Sequence, residues 1–422
     1  MGGVRVASVA VILLSLALAV VAVLTLWWTL HAWRTPEVLR GTRFEAPLAS
    51  RTVRFSLLVP ARHEQAVLEQ TITQLLRSTH DDYEIIIIVG HDDPETAEVA
   101  ERLATRYPAL VSVITDHNPV KNKPKALNTA LPHCKGDVVG VFDAEDQVHP
   151  ALLAHVDHAF STTNAAVVQG GVQLINFHSS WYSLRNCLEY YFYFRSRLHL
   201  QAQQGFIPLG GNTVFIRTET LRRTGGWDPE CLAEDCDLGV RLSSQGYRVV
   251  VAYDSLLVTR EETPDTLMSL FKQRTRWNQG FLQVFRKKEW RKLPTFRQRA
   301  LARFTLMSPF FQAYTGLLIP LGIGTALLLE LPAAVALVTF LPLIPTVANL
   351  AFEVAGLHDF GKQYELNVRP AHYLKLVVGA PLYMMLLAGA ATRAIYREGV
   401  GARNWELTRH VGAHLHPEQV TS

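Results

Sequence analysis

Residues 83–90 read YEIIIIVG, an almost entirely apolar run followed at once by the turn-forming HDDP (91–94). A strand that is apolar on both of its alternating faces suits a parallel sheet covered on both sides. Upstream, VRFSLLVPA (53–61) reads the same way and ends in a proline turn, and residues 64–78 carry the spacing of an amphipathic helix. Downstream come a helix in HDDPETAEVAERLATRY (91–107), a third strand in LVSVIT (110–115), a helix in KPKALNTALPHC (123–134) and a fourth strand in DVVGVFDAED (137–146). Strands alternating with helices make β-α-β units with right-handed crossovers, so residues 53 to about 260 are expected to be α/β. Ligands in such sheets bind beyond the carboxyl ends of the strands. Those ends carry Asp92 and Asp93, then Asp143, Glu145 and Asp146.

The flanks are of another kind. Val6 to Leu30 contains no charge, which is long enough for a membrane span and longer than the apolar core of a signal peptide. Trp27, Trp28 and Trp33 are placed as an aromatic belt. Arg34, Arg40, Arg43, Arg51 and Arg54 follow the span against a single Arg5 before it, which puts the N-terminus outside and residue 34 onward in the cytoplasm. Near the other end, 305–329 and 331–351 read as a helical hairpin broken at Glu330-Leu331-Pro332, and 372–392 is a third apolar segment. Three full spans would leave the tail outside, whereas Arg393, Arg397, Arg403 and Arg409 argue that it is inside. Segment 372–392 is therefore expected to be re-entrant or interfacial.

Composition agrees with a chain that carries membrane segments. Apolar residues make up 49% of the 422, and a net charge of +4 gives no argument for nucleic acid as a partner. Cys134, Cys187, Cys231 and Cys236 form no C-x-x-C pair, so they read as reduced thiols.

Asp143 and Glu145 are two apart at a strand end and point to one side. Two adjacent carboxylates repel unless a cation lies between them. Oxygen ligands suit Mg2+ or Mn2+, with a diphosphate completing the set. Lys123 and Lys125 stand upstream as phosphate contacts, and no P-loop is present. Residues 206–237 (FIPLGGNTVFIRTETLRRTGGWDPECLAEDCD) add a Gly-Gly-Asn turn, a strand, a short helix, a Gly-Gly-Trp turn and the acids Glu234, Asp235 and Asp237. Asp235 opens a helical run, so a helix cap is the plain alternative to a catalytic role. QRTRWNQGF (273–281) reads equally as a basic amphipathic helix at a membrane surface.

The ordered set VPARHE (59–64), HDDPET (91–96), NKPKALNTAL (122–131), FDAED (142–146), GGN (210–212), GGWD (225–228), AED (233–235) and QRTRW (273–277) resembles membrane-bound family 2 glycosyltransferases, the group of the cellulose, chitin and hyaluronan synthases. The resemblance covers about residues 53–280. It implies a GT-A (Rossmann-like) fold, a nucleotide-sugar donor such as a UDP-sugar, and inverting transfer. By the same resemblance, Asp92 or Asp93 contacts the nucleoside and Lys123 lies near the diphosphate. Asp143 and Glu145 stand for the D-x-D pair that binds nucleotide and metal, and Asp235, with Glu234 beside it, for the general base. Gln273, Arg276 and Trp277 match Q-x-x-R-W at the diphosphate and acceptor, and Gly211, Asn212 and Trp277 fall on the acceptor side. Two departures stand out. Glu145 replaces the usual second Asp, so that Asp146 is a candidate to share its role, and Ala233 replaces the Thr typical of the processive synthases.

The expected organisation is an N-terminal anchor (1–33), a basic linker (34–52), a GT-A catalytic domain (53–262), interfacial amphipathic helices with QRTRW (263–300), a C-terminal transmembrane region (301–392) and a basic cytoplasmic tail (393–422). The expected setting is a bacterial plasma membrane crossed several times, with the catalytic domain cytoplasmic. The expected partners are the nucleotide-sugar donor, a polysaccharide or lipid-linked acceptor, membrane lipids, and a second copy or an envelope complex. Trp405 in the tail is expected to fold back and help close the site. The competing class is a catalytically inactive nucleotide-sugar sensor or scaffold of an envelope complex.

Overall fold

The computed structural model describes residues 2–33, 52–316, 324 and 333–406. At its centre is a seven-stranded sheet in the order β3-β2-β1-β4-β7-β5-β8. The strands are β1 (Phe55–Ala61), β2 (Tyr83–Gly90), β3 (Val111–Asp116), β4 (Val138–Val141), β5 (Val167–Gly170), β7 (Val214–Arg217) and β8 (Val249–Ala252). The four strands read from the sequence are all present. β1 pairs in parallel with β2, Phe55 opposite Tyr83 through Ala61 opposite Val89, and with β4 on its other side.

The apolar run in β2 follows from the pleat. Ile85 and Ile87 pack on one face with Leu57, Val59, Phe142 and Phe215, while Ile86 and Ile88 pack on the other with Leu58, Val139 and Val141. Both faces are therefore core. Gly140 is required where β4 meets β7, because a Cβ there would stand 2.8 Å from the Phe215 ring.

Two features were not foreseen. β7 runs antiparallel between β4 and β5. A separate two-stranded sheet joins β6 (Val172–Leu174) to β9 (Thr259–Glu261). Together they carry residues far apart in sequence to the carboxyl ends of β1 and β4. The four cysteines are free and buried, in accord with the reduced reading.

Among the described residues, three helical stretches are long and apolar enough to cross a membrane: Val11–His31 within the Gly2–His31 helix, Leu337–Gln363 with a turn at residues 341–342, and Pro370–Gly399. The expected break at 330–332 and most of the linker lie outside the described residues. The segment expected at 331–351 is instead divided at Pro342, and the long helix runs from Leu343 to Gln363. A proline disfavours helix in the residue before it, which accounts for the shift. Residues 372–392 are not broken as a re-entrant segment would be. They lie within one unbroken 30-residue helix, Pro370–Gly399, despite Pro381. That helix buries Leu376, Ala380, Tyr383 and Ala391 while Leu374, Val378, Leu382 and Met385 stay exposed, so one face serves the protein and the other remains available to lipid. Trp33 ties the first helix to this region, donating to Asp359 at 3.0 Å and packing on Phe352.

Candidate active site

The carboxyl ends of β1, β2 and β4 open into a cavity of about 900 Å3. Its floor is built around Lys123. This residue begins the Lys123–Ala130 helix, whose first turn is capped by Asn122 accepting from the Lys125 amide at 3.0 Å. From there the Lys123 ammonium pairs with Asp143 and donates to the Gly211 carbonyl at 2.9 Å. Burial would lower its pKa, but the Asp143, Glu234 and Asp146 carboxylates outweigh that and hold it above the usual lysine value.

The D-A-E-D turn and the Gly-Gly-Asn turn are stitched together. Asp146 accepts from the Asp143 amide at 2.8 Å with one oxygen and from Asn212 at 2.8 Å with the other. Asn212 also donates to Glu261. Asp146 is thus committed to shaping the turn, while Asp143 and Glu145 line the cavity. Leu209 and Thr213, on either side of Gly210–Asn212, both have φ of +51°, and for a β-branched residue such as Thr213 that is an outlier held only by its surroundings.

Acids from four chain segments crowd this end. Burial, reinforced by Asp143, pushes Glu64 up to about 8 and Glu261 up to about 7. Burial, then Glu64 and Asp143, raises Glu145 well above its ordinary value. Like charges at such distances favour neutral carboxyls unless a cation arrives. Among the described residues no three His, Cys, Asp or Glu form a ready-made metal cage. The donor set, hard oxygens with a strong electrostatic need for positive charge, fits a divalent cation that takes one or two carboxylates and completes its shell with a diphosphate.

Asp235 and Glu234 face this cluster from the start of the Glu234–Ser244 helix. Asp235 is not its cap: Ala233 holds that position, without a side-chain bond. One Asp235 oxygen accepts from the Cys236 amide at 2.8 Å. The other lies so near the Gly-Gly-Asn turn that a Cβ on Gly211 would stand 3.3 Å from it. Burial and the neighbouring Asp235 push Glu234 up to about 7, against the pull of Lys123 and Arg276. Asp237, by contrast, is consumed in ion pairs with Arg241 at 2.7 Å and Lys287 at 2.6 Å.

The Leu267–Lys287 helix brings Gln273, Arg274, Arg276 and Trp277 to the cavity. It seats against the Ala-Glu-Asp loop at Gly280, where a Cβ would come within 2.5 Å of the Ala233 amide nitrogen. Arg276 donates to the Leu232 carbonyl at 3.3 Å and lies 4.5 Å from the Trp405 ring centre. Trp405 is placed by its neighbours: Glu406 takes both Arg393 nitrogens, at 2.8 and 2.7 Å, and Gln279 donates to the Ala402 carbonyl at 2.6 Å.

The residues at the end of β2 divide. Asp93 is buried, accepting from the His63 amide at 2.6 Å and capping the Pro94–Arg106 helix through Thr96. Asp92 pairs with Arg62 at 2.8 Å. Neither Asp92 nor Asp93 lines the cavity; Asp116 and Lys121, which the sequence did not single out, do. Glu64, Glu261, Tyr190 and Arg274 were also missed. Glu64 and Arg274 sit inside the quoted motifs VPARHE and QRTRW, while nothing local marks Glu261.

The pattern described as Glycosyltransferase like family 2 matches residues 53–280, more than half of the chain. The chain belongs to glycosyltransferase family 2. Among relatives of this family 2 chain, a beta-monoglucosyldiacylglycerol synthase of Trichormus variabilis is 28% identical over 54% of this chain and 49% of its own length. A poly-beta-1,6-N-acetyl-D-glucosamine synthase of Staphylococcus aureus is 24% identical over 54% of this chain and 55% of its own. The chain spans about half the length of the curated relatives it matches. A solved structure of the mannosyltransferase PcManGT of Pyrobaculum calidifontis, in complex with GDP-Man and Mn2+, superposes with a TM-score of 0.57 at 18% identity, covering 93% of this chain and 99% of that one. It bears out the GT-A-like α/β architecture.

Proposed function

We propose that this family 2 glycosyltransferase moves a single sugar from a nucleotide-sugar donor, a UDP-sugar, onto a hydroxyl of a membrane lipid or lipid-linked acceptor, with inversion at the anomeric carbon. The observation that carries this reading is the continuity of the cavity. The space that holds Asp143, Asp235 and Arg276 is also lined by Thr25 and Trp28 of the first apolar helix, Val347 and Leu350 of the second, and Val377 and Met384 of the third. A soluble acceptor has no use for such walls, whereas an amphiphile can keep its tail among them and present its headgroup to the acids. The relative named for glucosyldiacylglycerol synthesis supports the same acceptor class.

In this reading Asp235 takes the proton of the acceptor hydroxyl as its oxygen bonds to the anomeric carbon. The bond from that carbon to the diphosphate breaks with its electron pair, and nucleoside diphosphate leaves. Asp143 and Glu145 would hold a divalent cation, which when bound supplies positive charge to the leaving group. Lys123, Arg276 and Gln273 orient the diphosphate, and Trp405 closes the site over Arg276. Asp116 and Lys121 shape the nucleoside end, and Asp92 acts there through Arg62. Gly211 keeps the space beside Asp235 open to the acceptor. The arginines that flank the apolar helices favour a cytoplasmic position for the site.

Radiolabelled transfer from a panel of nucleotide sugars into membranes tests this. The expected product partitions into organic solvent as a glycolipid with one added sugar. A high-molecular-weight product left in the aqueous residue would replace this reading with polymer extension. Absence of both transfer and donor hydrolysis would favour the scaffold class.

A further inference from the structure

One basic side chain in the cavity has no assigned task. The basic residues lining the cavity fall into two groups. Lys123 faces Asp143, Arg185 faces Glu353 at 3.1 Å and Arg274 faces Glu189, and Arg62 and Lys121 likewise have carboxylates within 4 Å. Arg276 and Arg197 have none among the described residues. For Arg276 the leaving diphosphate is the natural counter-ion. Arg197 stands elsewhere, at the membrane end. Its guanidinium lies 4.4 Å from the centre of the Trp28 ring, and its buried Nε atom has no hydrogen-bond partner among the described residues.

The local backbone aims it. Tyr193–Arg197 winds as a π-helix between the Ser183–Phe192 and Leu198–Gln203 helices, a distortion that recurs at functional sites. Tyr193 and Arg197, at the two ends of that turn, both line the cavity. Arg197 and Asp235 line the same cavity, so an acceptor held at the first can extend to the second. Burial lowers the Arg197 pKa, a cost that no carboxylate among the described residues offsets and that an incoming anion would. Trp28 lies three residues before the end of the first apolar helix, at the depth where aromatic belts and lipid phosphates sit.

We infer that Arg197 is an acceptor-recognition residue, and that the acceptor is an anionic amphiphile whose headgroup phosphate rests on Arg197 beneath Trp28 while a hydroxyl of the same headgroup reaches Asp235. This rests on the lipid-acceptor reading and sharpens it, because a neutral diacylglycerol would leave Arg197 without a counter-ion. Arginine, with its planar fork of donors, is the side chain suited to phosphate.

The test uses the full chain in non-ionic detergent micelles carrying either phosphatidylglycerol or diacylglycerol, with wild type, Arg197→Gln and Arg197→Lys compared. Wild type is expected to glycosylate phosphatidylglycerol in preference to diacylglycerol. Arg197→Gln is expected to raise the KM for phosphatidylglycerol by about 10- to 100-fold, the range for one charge-assisted hydrogen bond. Arg197→Lys should recover part of that, and the affinity for UDP, measured by titration calorimetry, should be the same in all three. Equal losses with both lipids, or a fall in UDP affinity, would show Arg197 to be only a clamp on Trp28 and overturn the inference. Equal use of both lipids by wild type would also overturn it while leaving the lipid-acceptor reading intact. Inorganic phosphate competing as well as the phospholipid would mark a bare anion site and overturn the headgroup assignment. If neither lipid is glycosylated and the sugar goes to polymer, the lipid-acceptor reading itself falls.

Discussion

The Arg276 guanidinium lies 4.5 Å from the centre of the Trp405 ring, although 129 positions separate the two in the chain. Trp405 follows the last apolar helix, so the end of that helix and the Q-x-x-R-W helix are joined at the cavity. The pairing sets a rigid aromatic face against a guanidinium that also donates to the Leu232 carbonyl at 3.3 Å. A cation–π contact of this kind is worth about 0.5–2 kcal/mol. Trp405→Ala should therefore raise the donor KM by roughly 3- to 30-fold while the protein remains in the membrane fraction. Steady-state kinetics on solubilised protein checks it, and an unchanged donor KM would remove Trp405 from the site.

Asp235→Asn should keep donor affinity and lose transfer by roughly 10²–10⁴-fold, the range for a positioned acid or base. The variant preserves the side-chain shape and its bond from the Cys236 amide. Calorimetric titration with UDP and a single-turnover transfer assay separate the two effects. Turnover close to wild type would reassign the base, with Glu234 next in line.

Exhaustive chelation should stop transfer, and Mn2+ or Mg2+ should restore it. Asp143→Ala should weaken nucleotide binding in the presence of metal, since Asp143 stands among carboxylates whose own ionisation is opposed by crowding. Full activity in a metal-free preparation would refute the cation's part in the reaction.

Stability should depend on pH in a defined direction. Glu64 is pushed to about 8, and Glu234 and Glu261 to about 7, all above the ordinary carboxyl value of 4.5. Between these values the folded chain binds more protons than the unfolded one, so stability falls as pH rises. Buried His155, lowered to about 4 by burial, works the opposite way below about 6.5. The window in which the carboxylates govern is thus about pH 6.5 to 8. Thermal melts across it should show a falling midpoint that Mn2+ with UDP flattens. A rising midpoint without ligand would contradict the crowded-acid description.

Much of this was legible along the chain. The strands β1 to β4 announced themselves because a strand buried on both faces must be apolar at every position, as Ile85 to Ile88 are. That Asp143 and Lys123 share one crevice was legible because strand ends and helix starts project side chains there, whereas Asp235 was marked only by the resemblance of its Ala-Glu-Asp triplet. The role of Asp146 was not: whether an acid is a ligand or a brace depends on Asn212, 66 residues away, which holds it. Nor was Glu261, delivered by the small β6–β9 sheet, nor the 331–351 segment, divided where Pro342 breaks it. Periodicity and turn chemistry belong to contiguous residues, and the sequence alone determines them. The partner of Arg197 on a helix 169 positions earlier, and the absence of any carboxylate beside it among the described residues, were decided only when separate segments buried their surfaces against one another.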